Sequence, residues 1–350
     1  MEPFVFLCGN ANWNLARKIH QHLGLKNELK TVIECFPDNE FIARIPCEVS
    51  DRKVFILQST GFYIYKGRLL SPNDAIMELA EICRAAKESG AESVIPVIPY
   101  FAYARQDRKD EARVPITASL VADILQVSGI SQVILFDLHN GSIQGFFKGI
   151  RADHLYARPI FLEFFRKFFS LEDMQNLVIA YPDSGALKYF KSYSVELNVR
   201  SLVIDKDRIS GDRVEREIAQ EELALIRKKV KGRIVLIHDD MISTGGTITG
   251  VAEIAKNCGA KKVYLSAIHP VLAGEAFQKI RKAKDAGWLE KVFISDTLDY
   301  GSRMPCEYPA DLIETISISR LLAEAILRIF HREPLSPLFK ENAEYMFVRK

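Results

Sequence analysis

Two tandem α/β domains, each a mainly parallel sheet flanked by helices, are the fold class that this 350-residue sequence predicts. Three observations predict it. Short β-branched runs alternate with amphipathic helical patterns along the whole chain. A helix, glycine and strand phrase occurs twice at one spacing. And 350 residues are more than one hydrophobic core usually serves.

The strand signals fall at residues 54–57, 94–98, 133–136, 177–180, 202–204, 234–237 and 263–266, each rich in Val, Ile and Leu. Between them, residues 74–87 place Ile76, Leu79, Ile82 and Cys83 on one helical stripe, and residues 247–256 do the same with Val251, Ile254 and Ala255. Both helices lead into the repeated phrase. Ala86-Lys87-x-x-Gly90-Ala91-x-x-Val94 matches Ala255-Lys256-x-x-Gly259-Ala260-x-x-Val263, and a basic residue and a strand stand upstream of each. Helix, glycine cap and strand is a common α/β phrase, so chance is the competing explanation; the shared spacing favours duplication. The expected boundaries are 1–153 for the first domain, 154–312 for the second and 340–350 for a tail. Residues 313–339 are read as a closing helical segment, whose apolar Leu321, Leu322, Ala325, Ile326 and Ile329 are expected to pack back on the first domain.

Composition narrows the function classes. Lysine and arginine number 47 against 45 acids, a net charge of +2, which gives no reason to expect nucleic acid as a partner while leaving small phosphorylated ligands open. The six cysteines show no CxxC or zinc-like spacing and read as reduced thiols. The longest apolar run, 94–104, is broken by Pro96 and Pro99, and the apolar stretch near the N-terminus is too brief for a signal peptide. A cytoplasmic protein without a membrane partner is expected.

The sharpest motif is Ile234-Val-Leu-Ile-His-Asp239-Asp240-Met-Ile-Ser243-Thr244-Gly245-Gly246-Thr247. A strand that ends in a glycine-rich turn and opens a helix brings backbone N–H groups to an anion, so this is a phosphate cradle, with Ser243, Thr244 and Thr247 adding hydroxyl donors. Asp239 and Asp240 would repel phosphate. They suit hydrogen bonds from sugar hydroxyls or help in holding a cation. A capped β-to-α turn explains the Thr and Gly residues but not two adjacent acids. Asp137 and His139 are two apart at a strand end, which predicts side chains on one face; on its own, His139 is as readily a packed residue as a ligand. Arg105, Arg108 and Lys109 follow a strand and an aromatic pair, and read either as a solvated loop or as a contact for a nucleoside triphosphate. Lys206 and Arg208 follow another strand, with Gly211 beyond. They read as a surface loop neutralised by Asp205 and Asp207, or as cations that close over a polyphosphate.

Asp239-Asp240-x-x-x-Thr244-Gly245-Gly246-Thr247 resembles the ribose-phosphate loop of type I phosphoribosyltransferases and of their relatives, the ribose-phosphate diphosphokinases. Four further stretches resemble the diphosphokinases in order and spacing: Phe36-Pro37-Asp38-Asn39-Glu40, Tyr103-Ala-Arg105-Gln106-Asp107-Arg108, Asp137-Leu-His139 with the following Gln144-Gly145-Phe146-Phe147, and Ala157-Arg-Pro159. The likeness runs from the N-terminus to about Phe339, with an insertion around residues 63–71.

The resemblance implies two type I phosphoribosyltransferase-like domains and a transfer of the diphosphoryl group of MgATP to the C1 hydroxyl of ribose 5-phosphate. It implies Lys206 and Arg208 as catalytic residues, and Phe36, Asp38, Asn39, Glu40, Arg105, Gln106 and Asp107 as ATP contacts. It implies Asp239, Asp240, Ser243, Thr244, Gly245, Gly246 and Thr247 as the ribose 5-phosphate site, and His139 with Asp183 as holders of Mg2+. The Phe36 to Glu40 loop reaches a neighbouring subunit in the family, so a homo-oligomer is expected. Departures are Asn39 for a glycine, Ser184-Gly185-Ala186 for His-Gly-Gly, and Asp207 where a basic residue is common. Lys109-Asp110-Glu111-Ala112-Arg113 stands where many relatives place Arg and Ser at a regulatory phosphate site, and its carboxylates repel phosphate. A catalytically silent regulatory relative or a plain phosphoribosyltransferase is the competing expectation; the first has no need of the polar residues just named, the second none of the first-half motifs.

Overall fold

The structure, a computed structural model, describes residues 4–29, 33–38, 40–205, 213–300 and 311–339, the side chains of 213–219 excepted. Asn39, Lys206, Arg208 and the 340–350 tail lie outside the described residues. Two compact units separate, one from 1–159, 297–303 and 317–350, the other from 160–296 and 304–316, each taken over its described residues.

The first unit holds β1 (Val5–Cys8), α1 (Trp13–Leu23), the short ribbon of β2 (Ile33–Cys35) and β3 (Phe41–Ala43), and β4 (Lys53–Leu57). The hairpin β5 (Tyr63–Tyr65) and β6 (Arg68–Leu70) follows, then α2 (Pro72–Glu88), β7 (Ser93–Ile98), α3 (Thr117–Val127), β8 (Gln132–Phe136) and β9 (Arg151–Leu155). Its main sheet is parallel in the order β1-β4-β7-β8-β9. The next elements are α4 (Arg158–Phe168), at whose start the chain passes to the second unit, α5 (Leu171–Asn176), β10 (Leu177–Tyr181), α6 (Ser184–Glu196) and β11 (Arg200–Val203). They are followed by α7 (Arg213–Val230), β12 (Ile234–Met241), α8 (Gly246–Asn257), β13 (Lys262–His269), α9 (Ala276–Asp285), β14 (Lys291–Ser295) and β15 (Ile313–Ile316). The second sheet is parallel in the order β11-β10-β12-β13-β14-β15.

Five strands of each sheet thus follow one order, with β11 added outside β10 in the second. The repeated phrase sits at the same place in both. Gly90 (φ 86°) and Gly259 (φ 91°) leave their helices in the left-handed conformation that favours glycine. Gly90 carbonyl accepts from Asp51 N at 3.0 Å and Gly259 carbonyl from Gly232 N at 2.8 Å; Ala91 N donates to Ala86 and Ala260 N to Ala255. Matching backbone bonds are what the matching residues produce.

The expected strands are all present, but β12 and β13 run on to Met241 and His269, because Asp239 pairs with Ala267 and Met241 with His269. The acid pair is therefore on the strand itself. Residues 63–71 form the β5–β6 hairpin, whose turn residues Lys66 (φ 49°) and Gly67 (φ 80°) both have the positive φ of a type I′ turn.

Leu79, Ile82 and Cys83 of α2 are fully buried against Val54, Ile56, Val133 and Leu135 in the first core. In the second unit Phe161, Phe164, Phe165 and Phe168 recur on α4 at helical spacing; the last three meet Phe293 with ring centroids 4.8–6.0 Å apart, Phe161 meets Phe165 at 6.0 Å, and Phe168 also meets Tyr264 at 5.6 Å. Each buried aromatic is worth about 2–3 kcal/mol, so this cluster is the main anchor of that face. The closing helix α10 (Ser319–Phe330) packs on α1, and Phe330 meets Phe4 at 5.1 Å. No helix among the described residues is long and apolar enough to cross a membrane.

Candidate active site

In the second unit the cradle is built by β12 and the start of α8. Gly245 precedes the helix with φ 77°, a left-handed conformation that favours glycine. Ser243 and Ile242 carbonyls accept from Ala273 and Leu272 N–H groups at 2.9 and 2.8 Å, and Thr249 Oγ1 donates to the Gly245 carbonyl at 2.7 Å. The carbonyls are thus turned back into protein. Gly245 at the N-cap of α8 supplies no side-chain cap, and Thr244 and Thr247 on the same turn are exposed, at the end of the helix whose dipole favours an anion. The structure brings Ser243, Thr244, Gly245, Gly246 and Thr247 together on this one turn.

Three carboxylates gather near this turn. Burial holds the Asp239 carboxyl well above the usual carboxylate range, the charges of Asp240 and Asp183 push the same way, and the Asp240 N–H, 2.9 Å from Asp239 Oδ1, opposes them. Asp183, exposed, is the N-cap of α6, its Oδ1 accepting from Ala186 N at 2.7 Å. The capping and ligating readings of Asp183 are compatible, since one oxygen remains. An oxygen donor set with surplus negative charge fits a hard cation such as Mg2+. Among the described residues no three His, Cys, Asp or Glu side chains are grouped so as to hold a metal ion.

In the first unit, His139 is exposed just beyond β8. The expected shared face with Asp137 is not formed: β8 ends at Phe136, Asp137 turns with φ 41°, and its buried carboxylate accepts from Ala157 N at 2.5 Å. Alternation does not survive a left-handed residue. Asp137 is a structural post, and a second residue that the sequence did not point to, the buried His154, accepts from Leu138 N at 2.8 Å and props the same loop. Its only sequence signal is a histidine inside a short strand. Asn140 Nδ2 donates to Asp107 Oδ2 at 2.5 Å, tying the His139 loop to the Arg105, Gln106, Asp107 loop. Arg105 and Gln106 are exposed there. Phe36, Asp38 and Glu40 are exposed on the turn between β2 and β3, closed by Phe36 N on the Glu40 carbonyl at 2.8 Å. His139 belongs to the first unit and Asp183 to the second.

A family model described as the N-terminal domain of ribose phosphate pyrophosphokinase matches residues 4–129, and one described as phosphoribosyl synthetase-associated domain matches residues 214–340. A ribose-phosphate pyrophosphokinase of Rhodopirellula baltica is 36% identical, over 98% of this chain and 100% of its own. Ribose-phosphate pyrophosphokinase 1 of Streptococcus agalactiae is 37% identical over 95% of this chain and 96% of its own. Among solved structures, phosphoribosylpyrophosphate synthetase from Mycobacterium smegmatis superposes with a TM-score of 0.77 at 28% identity, covering 95% of this chain and 100% of that one.

Proposed function

The chain belongs to the ribose-phosphate pyrophosphokinases, and from that premise we propose how its residues share the work. The enzyme transfers the diphosphoryl group of ATP to the C1 hydroxyl of ribose 5-phosphate, giving 5-phosphoribosyl 1-diphosphate and AMP. The C1 oxygen bonds to the β-phosphorus, the bond from that phosphorus to the α,β-bridging oxygen breaks, and the hydroxyl proton is lost. Such transfers ask little covalent chemistry of the protein, so positioning and charge neutralisation carry the rate.

The observation that best supports this reading is the uncapped start of α8 beside the Asp239 and Asp240 pair. The 5-phosphate is received by the turn of Ser243, Thr244, Gly245, Gly246 and Thr247, and the ribose hydroxyls donate to Asp239 and Asp240. Phe36, Asp38, Asn39 and Glu40 hold the adenine, and Arg105, Gln106 and Asp107 the rest of ATP. The Phe36 turn serves the site of a second copy, which makes a homo-oligomer the active form. Lys206 and Arg208 neutralise charge on the transferring group and on departing AMP. His139 and Asp183 would hold Mg2+, which when bound neutralises the polyphosphate. The five described cysteines are all free thiols, in keeping with a cytoplasmic enzyme.

The test is AMP release from ATP and Mg2+ with and without ribose 5-phosphate. AMP is expected only with the sugar phosphate; its absence in both, with phosphoribosyl diphosphate still bound, would turn the reading to a phosphoribosyltransferase.

A further expectation concerns inorganic phosphate. Arg108 Nε lies 2.7 Å from Asp110 Oδ1, so its charge is taken by its own loop, next to Glu111. The rate is expected to show no sigmoidal activation as phosphate is raised, measured at saturating substrates. A sigmoidal rise would mean that another cation builds the regulatory site.

A further inference from the structure

We infer that the inserted β5–β6 hairpin is a strut for the Phe36 turn, with Arg68 as a positioning residue for ATP; this rests on the reading of that turn as an ATP contact. Phe36, Asp38 and Glu40 are exposed, β2 and β3 have three residues each, and a two-stranded ribbon of that length is marginal by itself. Within the turn, Phe36 N bonds the Glu40 carbonyl, and Glu40 N bonds Asp38 Oδ1 at 3.2 Å. Ile33, Phe41 and Ala43 seat the ribbon on the first core, and the hairpin reaches the turn itself: Arg68 Nη1 donates to the Phe36 carbonyl at 3.3 Å and stands 3.8 Å from Cys35 Sγ.

The hairpin is in turn footed in the core. Tyr63 and Leu70 are buried with Ala11 and Ala75, and Phe41 of β3 and Tyr65 pack on that patch. The Tyr63 hydroxyl bonds the carboxylate of Glu78, a fully buried side chain of α2 that also accepts from Asn10 N at 2.6 Å. Because the type I′ turn ends at Gly67, Arg68 is the first residue of the returning strand and is held opposite Tyr65. A contact chain therefore runs from α2 through Tyr63 and the hairpin to Arg68 and the carbonyl of Phe36.

Arg68→Ala is expected to raise the KM for ATP about fivefold, the scale of one hydrogen bond from a charged donor at a half-exposed site, with kcat and the KM for ribose 5-phosphate unchanged. Arg68→Lys restores most of it, and hydrogen exchange at the Phe36 amide is faster in the alanine variant than in the wild type. Leu69→Ser, on the exposed side of the same hairpin, is the control and is expected to leave every constant unchanged. Phe36→Ala separates the two layers of inference. If it raises the KM for ATP while Arg68→Ala does not, the strut is wrong and the ATP reading of the turn stands. If neither variant moves that KM, the reading of the turn fails and the strut with it. A loss in Arg68→Ala spread equally over kcat and both KM values, with a lower Tm, would also overturn the proposal, because it would mark a purely structural residue.

Discussion

Replacing Lys206 by alanine is expected to cut ribose 5-phosphate-dependent AMP release by about 10²–10³-fold, the usual loss when one preorganised group that stabilises transition-state charge is removed. In the transfer proposed here, negative charge grows on the bridging oxygen of AMP as its bond to the β-phosphorus breaks. An ammonium that meets this oxygen late contributes to kcat and little to ground-state binding. The fall should therefore appear in kcat at nearly constant KM for both substrates. Arg208→Ala is expected to behave similarly, whereas Asp207→Ala, which removes a neutralising neighbour, should not lower kcat. Steady-state AMP release with both substrates varied is the measurement. A change of less than about fivefold in Lys206→Ala would remove the lysine from the mechanism and leave charge neutralisation to Arg208 and the bound cation.

Stability is expected to respond to pH through two buried side chains with opposite signs. His238 is fully buried among Phe161, Phe165, Phe190 and Tyr193, with Nδ1 3.0 Å from Ser266 Oγ. Burial lowers its pKa to about 3, against a smaller opposing pull from Asp240. The unfolded chain then binds a proton more readily than the folded one, so stability is full above the ordinary value of 6.5 and is lost as pH falls towards 3. The limit is about 5 kcal/mol at 1.4 kcal/mol per unit. Glu78 works the other way. Burial raises its pKa to about 7, opposed by the bonds from Tyr63, Asn10 and Gln58. Its folded form keeps a proton that the unfolded chain releases above 4.5, so stability is lost as pH rises from 4.5 to 7, by at most about 3 kcal/mol.

Urea unfolding at pH 4, 5.5 and 7.5 checks both. His238→Gln keeps a partner for Ser266 without titrating and is expected to flatten the acid limb. Glu78→Gln mimics the protonated acid and is expected to make the protein relatively more stable at pH 7.5 than at pH 4, compared with the wild type. An acid limb unchanged in His238→Gln would show that other groups dominate acid unfolding.

Much of this molecule was legible in its residues, for identifiable reasons. The strand, turn and helix around Ser243 to Thr247 were readable because each part is a local requirement: a strand, a glycine with φ 77°, a helix start without a side-chain cap. The duplication was readable because Gly90 and Gly259 must follow their helices at a fixed distance to close the same backbone bonds. What failed was local inference where the backbone leaves its regular period. Asp137 and His139 looked like neighbours on a strand face, yet φ 41° at Asp137 ends the alternation. The β5–β6 hairpin was visible only as an insertion, because the burial of Tyr63 and Leu70 depends on Ala11 and Ala75, distant in sequence. Glu78 sits in an ordinary helical stretch, Ile76-Met-Glu-Leu79, and nothing local distinguishes a buried acid there from a solvated one.

The matching strand order of the two sheets has one more consequence. Counting from the repeated phrase, β4 and its loop to α2 correspond to β12 and its loop to α8. In the second copy that loop leads into a helix with no side-chain cap, between exposed Thr244 and Thr247. In the first, the same position is occupied by side chains: a Cβ on Gly9 would stand 2.5 Å from Gln58 Oε1 and 2.9 Å from Glu78 Oε1, and the Tyr63 hydroxyl bonds Glu78. A buried carboxyl there lends a phosphate no opposite charge, and it repels one when it ionises. The topology is doubled but the loop chemistry is not: one copy opens its helix with glycines and hydroxyls, the other closes over a buried amide and acid.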